Sequence, residues 1–139
     1  MKNTIFTKLS LLLLVAMVLM LASCNQKDPW SDAVHTENTE LGEGEKTVIV
    51  DVCVKKHAIT FTIHTDAKTL GEALLAHGLI EGEDSQYGMY IKKVNGILAD
   101  YDVDGSYWGF YKYDGEYMMN GVDTTEINGG EHFQLVYEK

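Results

Sequence analysis

Between Thr47 and Gly78 the hydrophobic period changes once, and that change narrows the possible folds more than any other feature of the chain. Val48, Val50, Val52 and Val54 alternate through residues 47–55, and Ile59, Phe61 and Ile63 alternate through residues 58–64. A period of two is that of a strand with one buried face. The short connection at Lys56-His57 makes the two strands a hairpin. Thr69-Leu70-Gly71-Glu72 then supplies a Thr-x-x-Glu capping box, in which Thr69 and Glu72 each satisfy an unpaired amide at a helix start. Leu70, Ala73, Leu74 and His77 come next at helical spacing, and Gly78 provides the stop. A hairpin followed by one helix of two to three turns commits the chain to an α+β plan.

Glycine-marked turns divide the remainder into further β segments. Residues 89–94 end at Asn95-Gly96, and residues 106–113 turn at Asp114-Gly115 into 116–119. Asp-Gly between two strand-like runs is a hairpin signal, because both residues tolerate positive φ. A link at 122–127 and the turn Asn128-Gly129-Gly130 lead to a last strand at 131–137, while residues 80–88 read as an acidic loop. The expected fold is a β-grasp over residues 47–139: a mixed sheet of about five strands with one covering helix. Residues 24–46 are polar and acidic, hold the only proline and show no apolar period. They read as a disordered tether, with a reach of about 25 Å.

The chain opens with Lys2 and Lys8, no acid before Asp28, and an unbroken apolar run over residues 11–22. This is the pattern of a secretory signal over residues 1–23, shorter than the roughly 20 apolar residues a membrane span needs. Leu21-Ala22-Ser23-Cys24 resembles a bacterial lipobox, which predicts lipid on Cys24 and an extracytoplasmic protein anchored to the cell membrane. Residues 1–23 hold two of the eleven lysines and none of the twenty-one acids, so nine lysines face twenty-one acids in residues 24–139, a charge of −12. There is no arginine. Such a surface excludes nucleic acid as a partner and argues against lying on anionic lipid, leaving the lipid chain as the sole membrane contact. With Cys24 lipidated, Cys53 is the one thiol left, and the fold rests on its core without an intrachain disulfide.

Two candidate sites lie close together. Asp100, Asp102 and Asp104 before Gly105 copy the first half of a calcium loop, but the twelfth position is Tyr111, where an EF-hand needs a bidentate Glu. Two readings remain: a looser calcium site, completed by Asp123, Glu126 or a carbonyl, or a solvated acidic turn. The next strand carries Tyr107, Trp108, Phe110, Tyr111 and Tyr113. By parity Trp108 and Phe110 face the core, while Tyr107, Tyr111 and Tyr113 look outward around a gap at Gly109. Tyr107, Trp108, Tyr111 and Tyr113 are the candidate ligand-binding residues, with Tyr117, Met118 and Met119 able to extend the patch. His57, His64, His77 and His132 form no metal-ligand spacing. No nucleophile elbow, phosphate loop or zinc helix occurs, so a binding module is expected rather than an enzyme.

The helix start Thr69-Leu70-Gly71-Glu72-Ala73-Leu74, with Asn95-Gly96-Ile97 and Ala99-Asp100-Tyr101-Asp102, resembles a bacterial lipoprotein family. Tyr107-Trp108-Gly109-Phe110-Tyr111, Gly121-Val122-Asp123 and the Ile-x-x-Gly-x-x-Phe run from Ile127 to Phe133 belong to the same resemblance. That family carries a domain of unknown function similar to the C-terminal β-domain of transcobalamin and intrinsic factor. The resemblance implies a ubiquitin-like β-grasp and capture of a small ligand, cobalamin first. In the animal transporters this domain covers one face of cobalamin while a larger α-helical domain holds the rest. The alternative is an envelope protein-interaction or adhesion module, stiffened by calcium or another metal.

Overall fold

The computed structural model describes Thr4, Thr7, Lys8 and residues 26–139. Apart from those first three residues, the expected signal lies outside the described residues, as does Cys24. The elements in chain order are β1 (Thr39–Leu41), β2 (Lys46–Val54), β3 (His57–Thr65), α1 (Leu70–Ala76), β4 (Ile80–Ser85) and β5 (Gly88–Val94). They continue with β6 (Ile97–Leu98), α2 (Tyr101–Asp104), β7 (Tyr107–Lys112) and β8 (His132–Glu138).

Five strands form one sheet in the order β1-β3-β2-β8-β7. β2 and β3 are the expected antiparallel hairpin, and β8 returns parallel to β2, with Val50 opposite Phe133 and Val52 opposite Leu135. β7 closes this side antiparallel to β8. A hairpin, a covering helix and a final strand lying parallel beside the first make up the β-grasp plan. Val48, Val50, Val52 and Val54, Ile59, Phe61 and Ile63, and Phe133, Leu135 and Tyr137 are all buried. They share one core with Leu70, Ala73 and Leu74 of α1. Cys53 lies on the opposite face of β2, half-buried, where burial and the nearby Asp51 charge push its thiol up.

The capping box forms as expected: Glu72 N donates to Thr69 Oγ1 at 3.2 Å, and Thr69 N donates to the Glu72 carboxylate at 3.4 Å. Gly71 has a steric reason. A Cβ there would come within 2.8 Å of Asp123 Cα, so the helix lies directly on the 122–124 segment. Leu70 N donates to Thr125 O, and Ile127 N donates to Lys68 O, which fixes the same contact from the main chain.

Three expectations about the fold need correction. Residues 80–88 are not a loop: β4 pairs with β5, and β5 with β6, in a second sheet of three strands. The acids of β4 hide it in the sequence, because only Ile80 is buried and no alternation shows. Glu81 and Glu83 instead meet Lys93 and Lys92 across the strands, each at 3.2 Å. Residues 116–119 make the expected turn without a regular strand, through Lys112 N to Glu116 O and Met118 N to Phe110 O.

The third correction concerns the tether, which is folded onto the domain from Asp28 onwards. Pro29–Asp32 is a 3-10 turn, and Trp30 stacks on His57 with ring centroids 4.9 Å apart. Asn95 exchanges two hydrogen bonds with the His35 main chain, and β1 adds to β3 in parallel. Main-chain pairing with an edge strand requires no apolar period, so nothing in the residue pattern betrays it.

Candidate functional site: an uncharged cleft between the two sheets

β7 is the outer strand of the large sheet, and β5 runs past it from the small one. Between them, closed on a third side by the return segment after Asp114-Gly115, lies a cleft of about 240 Å³. Trp108, Phe110, Ile91 and Val122 line its inner side and are buried in the core. Trp108 is fixed there by a hydrogen bond from its indole N–H to Ile97 O at 3.1 Å. The β5 side contributes Tyr87, Met89 and Tyr90, and the return segment contributes Tyr117, Met118 and Met119. Tyr87 and Met119 stand at the rim, 78% and 85% exposed. None of the fifteen lining residues is charged.

Asp123 holds this corner together from outside the cleft. Its carboxylate accepts from Met89 N at 2.7 Å and so ties the 121–124 segment to β5. The same segment seats α1, so Gly71, Gly121-Val122-Asp123 and Gly88-Met89 are one connected joint.

The four aromatic candidates separate. Tyr107 and Trp108 line the cleft. Tyr111 does not: its hydroxyl donates to Glu138 at 2.5 Å on the far face of the sheet, and its ring packs against Tyr117 at 5.5 Å. The Tyr107 hydroxyl donates to the other oxygen of the same carboxylate. The hydrogen bond to charged Glu138, aided by burial, pushes Tyr111 up to about 12, and the same carboxylate raises Tyr107. The gap expected at Gly109 is filled, because a Cβ there would lie 2.6 Å from the Tyr111 ring and 3.1 Å from the Glu138 carboxylate. Tyr113 turns to a different place and stacks on His132, with centroids 4.0 Å apart. Sequence reasoning missed Tyr87, Met89 and Tyr90; the one available signal was their nearness to Gly88 at a strand start.

Of the two readings of the acidic stretch, the calcium site is the one that needs correction: Asp100, Asp102 and Asp104 do not converge on a common point. Asp100 caps α2 by accepting from Asp102 N at 3.1 Å. Asp104 faces the other way and accepts from Ser106 N at 3.0 Å and Ser106 Oγ at 2.5 Å, with Lys139 at 3.4 Å. Those Ser106 hydrogen bonds hold the Asp104 carboxyl below its ordinary range. Both carboxylates instead accept from main-chain amides two residues on, which favours a local turn at this spacing. Among the described residues no group of three or more His, Cys, Asp or Glu is placed to hold a metal ion.

Known proteins share this architecture. No curated protein matches the chain. A 1.30 Å crystal structure of a candidate metal-binding protein from Ruminococcus gnavus ATCC 29149 is 33% identical, with a TM-score of 0.63. That likeness covers 68% of this chain and 98% of the other. Haptocorrin in complex with Cbi is similar at a TM-score of 0.50 and 19% identity, over 71% of this chain and 26% of haptocorrin. At that identity the likeness concerns the fold alone, and this chain corresponds to about a quarter of haptocorrin's length. A family model described as a domain of unknown function (DUF4430) matches residues 67–139, from the helix start through the cleft to the last strand. That match spans more than half of the chain, and the chain belongs to this family.

Proposed function

We propose that the domain is a binding module, not an enzyme, held outside a bacterial membrane by a lipid on Cys24, and that its uncharged cleft receives one face of a flat small molecule. A corrinoid such as cobalamin is the first candidate. One observation carries this reading: a chain with 23% charged residues gathers fifteen uncharged ones around a single opening. A ring laid against Trp108, Tyr117 and the methionines displaces water without stripping any ion of its hydration, which is the costly step in burying polar surface. Tyrosine rims are rigid and amphipathic, and methionine thioethers adapt to an irregular outline.

The cleft is one-sided, and the rim side chains Tyr87 and Met119 project into solvent. A ligand seated here keeps its opposite face available to a second surface. That arrangement suits a domain that covers half of its ligand, as the transcobalamin-like resemblance implies. The likeness of fold to haptocorrin, crystallised with Cbi, makes a corrinoid the first flat ligand to test.

The test uses Trp108 as reporter. Trp30→Phe leaves Trp108 as the one tryptophan and keeps an aromatic ring over His57. Titration with cobinamide or cobalamin is expected to give saturable Trp108 quenching with matching heat by calorimetry. Absence of both up to millimolar ligand overturns the corrinoid reading.

A further inference from the structure

We infer a second binding site, for small organic ammonium ions, in the cleft on the other side of Met118, around the stacked pair Tyr113 and His132. The cleft measures about 500 Å³ and is lined chiefly by apolar surface, with Phe133, Thr125 and Met118 inside it. Phe133 and Thr125 are buried, and Phe133 is braced by Phe110 at 5.5 Å. Tyr113 lies flat on His132 with 16° between the ring planes and is 61% exposed, so its outer ring face is open to a ligand. This pair is held from below: Tyr113 N donates to His132 O at 3.0 Å, and His132 Nε2 lies 2.8 Å from Asp51.

The charge around the opening selects the ligand. Asp114, Glu126 and Glu131 line the cleft together with a single lysine, Lys112. Lys112 is drawn to Glu116 at 3.1 Å, so its charge is already countered. Glu131 is fixed by the amides of Asn128 and Gly129, each at 2.6 Å, and Asp114 by the amide of Glu116 at 3.0 Å. Glu126 is exposed at the opening. Carboxylates above an apolar pocket repel anions and attract cations, and an aromatic face adds attraction to a cation desolvated upon it. The matching ligand has an ammonium head for the carboxylates and Tyr113, and an apolar body for Phe133 and Met118. Inorganic cations lack the apolar body, and neutral aromatics lack the charge.

The experiment titrates benzyltrimethylammonium into the chain, with benzyl alcohol as the neutral match, while proton resonances of Tyr113, His132 and Phe133 are followed. Saturable shifts confined to this cleft are expected for the ammonium, with roughly fivefold or weaker binding of the alcohol, the scale of a cation–π contact together with the carboxylates. Tyr113→Ala should weaken the ammonium by roughly two- to fivefold, the scale of an exposed cation–π contact. Glu126→Gln, isosteric at an exposed position, should weaken it severalfold and leave folding unchanged. Equal binding of the alcohol, shifts spread over the whole acidic surface, or no saturation at tens of millimolar would each overturn the proposal. These outcomes are independent of corrinoid binding, which rests on the other cleft.

Discussion

The two clefts share Met118 as a common wall and differ in nearly everything else. The first opens between the two sheets and carries no charge at all. The second opens over β8 and the 125–131 segment and carries three carboxylates and one lysine. One strand and its turn supply aromatics to both: Tyr107, Trp108 and Phe110 reach the first, and Tyr113 reaches the second. An aromatic strand therefore does not define a site by itself. The chemistry of each cleft is set by what the neighbouring segment brings, Tyr and Met from β5 and 117–119 in one case, Glu from 126–131 in the other.

The strongest way to break this contrast is to remove the floor of the uncharged cleft. Trp108→Ala should cost about 3–5 kcal/mol, the usual range for emptying a buried aromatic site. Denaturant melts would read this as a large shift in midpoint, and a change below about 1 kcal/mol, the scale of a surface substitution, would mean that Trp108 is not the shared floor of cleft and core. Gly109→Ala comes next. The added methyl meets the Tyr111 ring at 2.6 Å, so about 1–3 kcal/mol of overpacking is expected in the same melts, acting first on the far face where Tyr111 packs.

Met119→Lys should weaken corrinoid binding about tenfold or more, about 1.4 kcal/mol, because it puts an ammonium where no charge now stands. Its own stability should stay within about 0.5 kcal/mol, since Met119 is exposed. Unweakened binding would place the ligand elsewhere.

The smallest effect concerns the Tyr111–Glu138 pair. Tyr111 titrates near 10 when unfolded and is raised to about 12 in the fold. Its contribution is thus complete below about pH 10 and disappears as pH rises to about 12. Tyr111→Phe should cost about 1 kcal/mol at neutral pH. It should also flatten the loss of stability between about pH 10 and 12; identical slopes for the two proteins would contradict the pairing.

Much of the large sheet was legible because its strands have one wet and one dry face. Val48 through Val54, Ile59 through Ile63, and the Thr69–Glu72 box carry their geometry in their spacing. β4 was not legible, because a surface strand held by Glu–Lys pairs shows no alternation. The packed segment from Asp28 to Leu41 was hidden for a related reason. It is held by the Asn95 side chain, a Trp30–His57 stack and main-chain pairing with β3, and these partners lie far apart in sequence.

The site was half legible. Strand parity correctly sent Trp108 and Phe110 inward, but it could not say that Tyr111 would fold back over Gly109 onto Glu138. Nor could it bring Tyr87 and Tyr90 beside Trp108, since that contact depends on how the second sheet docks. The aspartates left two readings open because their alternation fits a metal loop and a capped acidic turn equally well.

The uncharged cleft is proposed to receive one face of a flat ligand. The most direct measurement is a residue-resolved amide shift map of the labelled chain during titration with cobinamide. Saturable shifts should concentrate in 87–91, 107–110 and 117–122, with 113 and 131–133 nearly unmoved. Shifts centred on Tyr113 and His132, or none anywhere at saturating ligand, would contradict it.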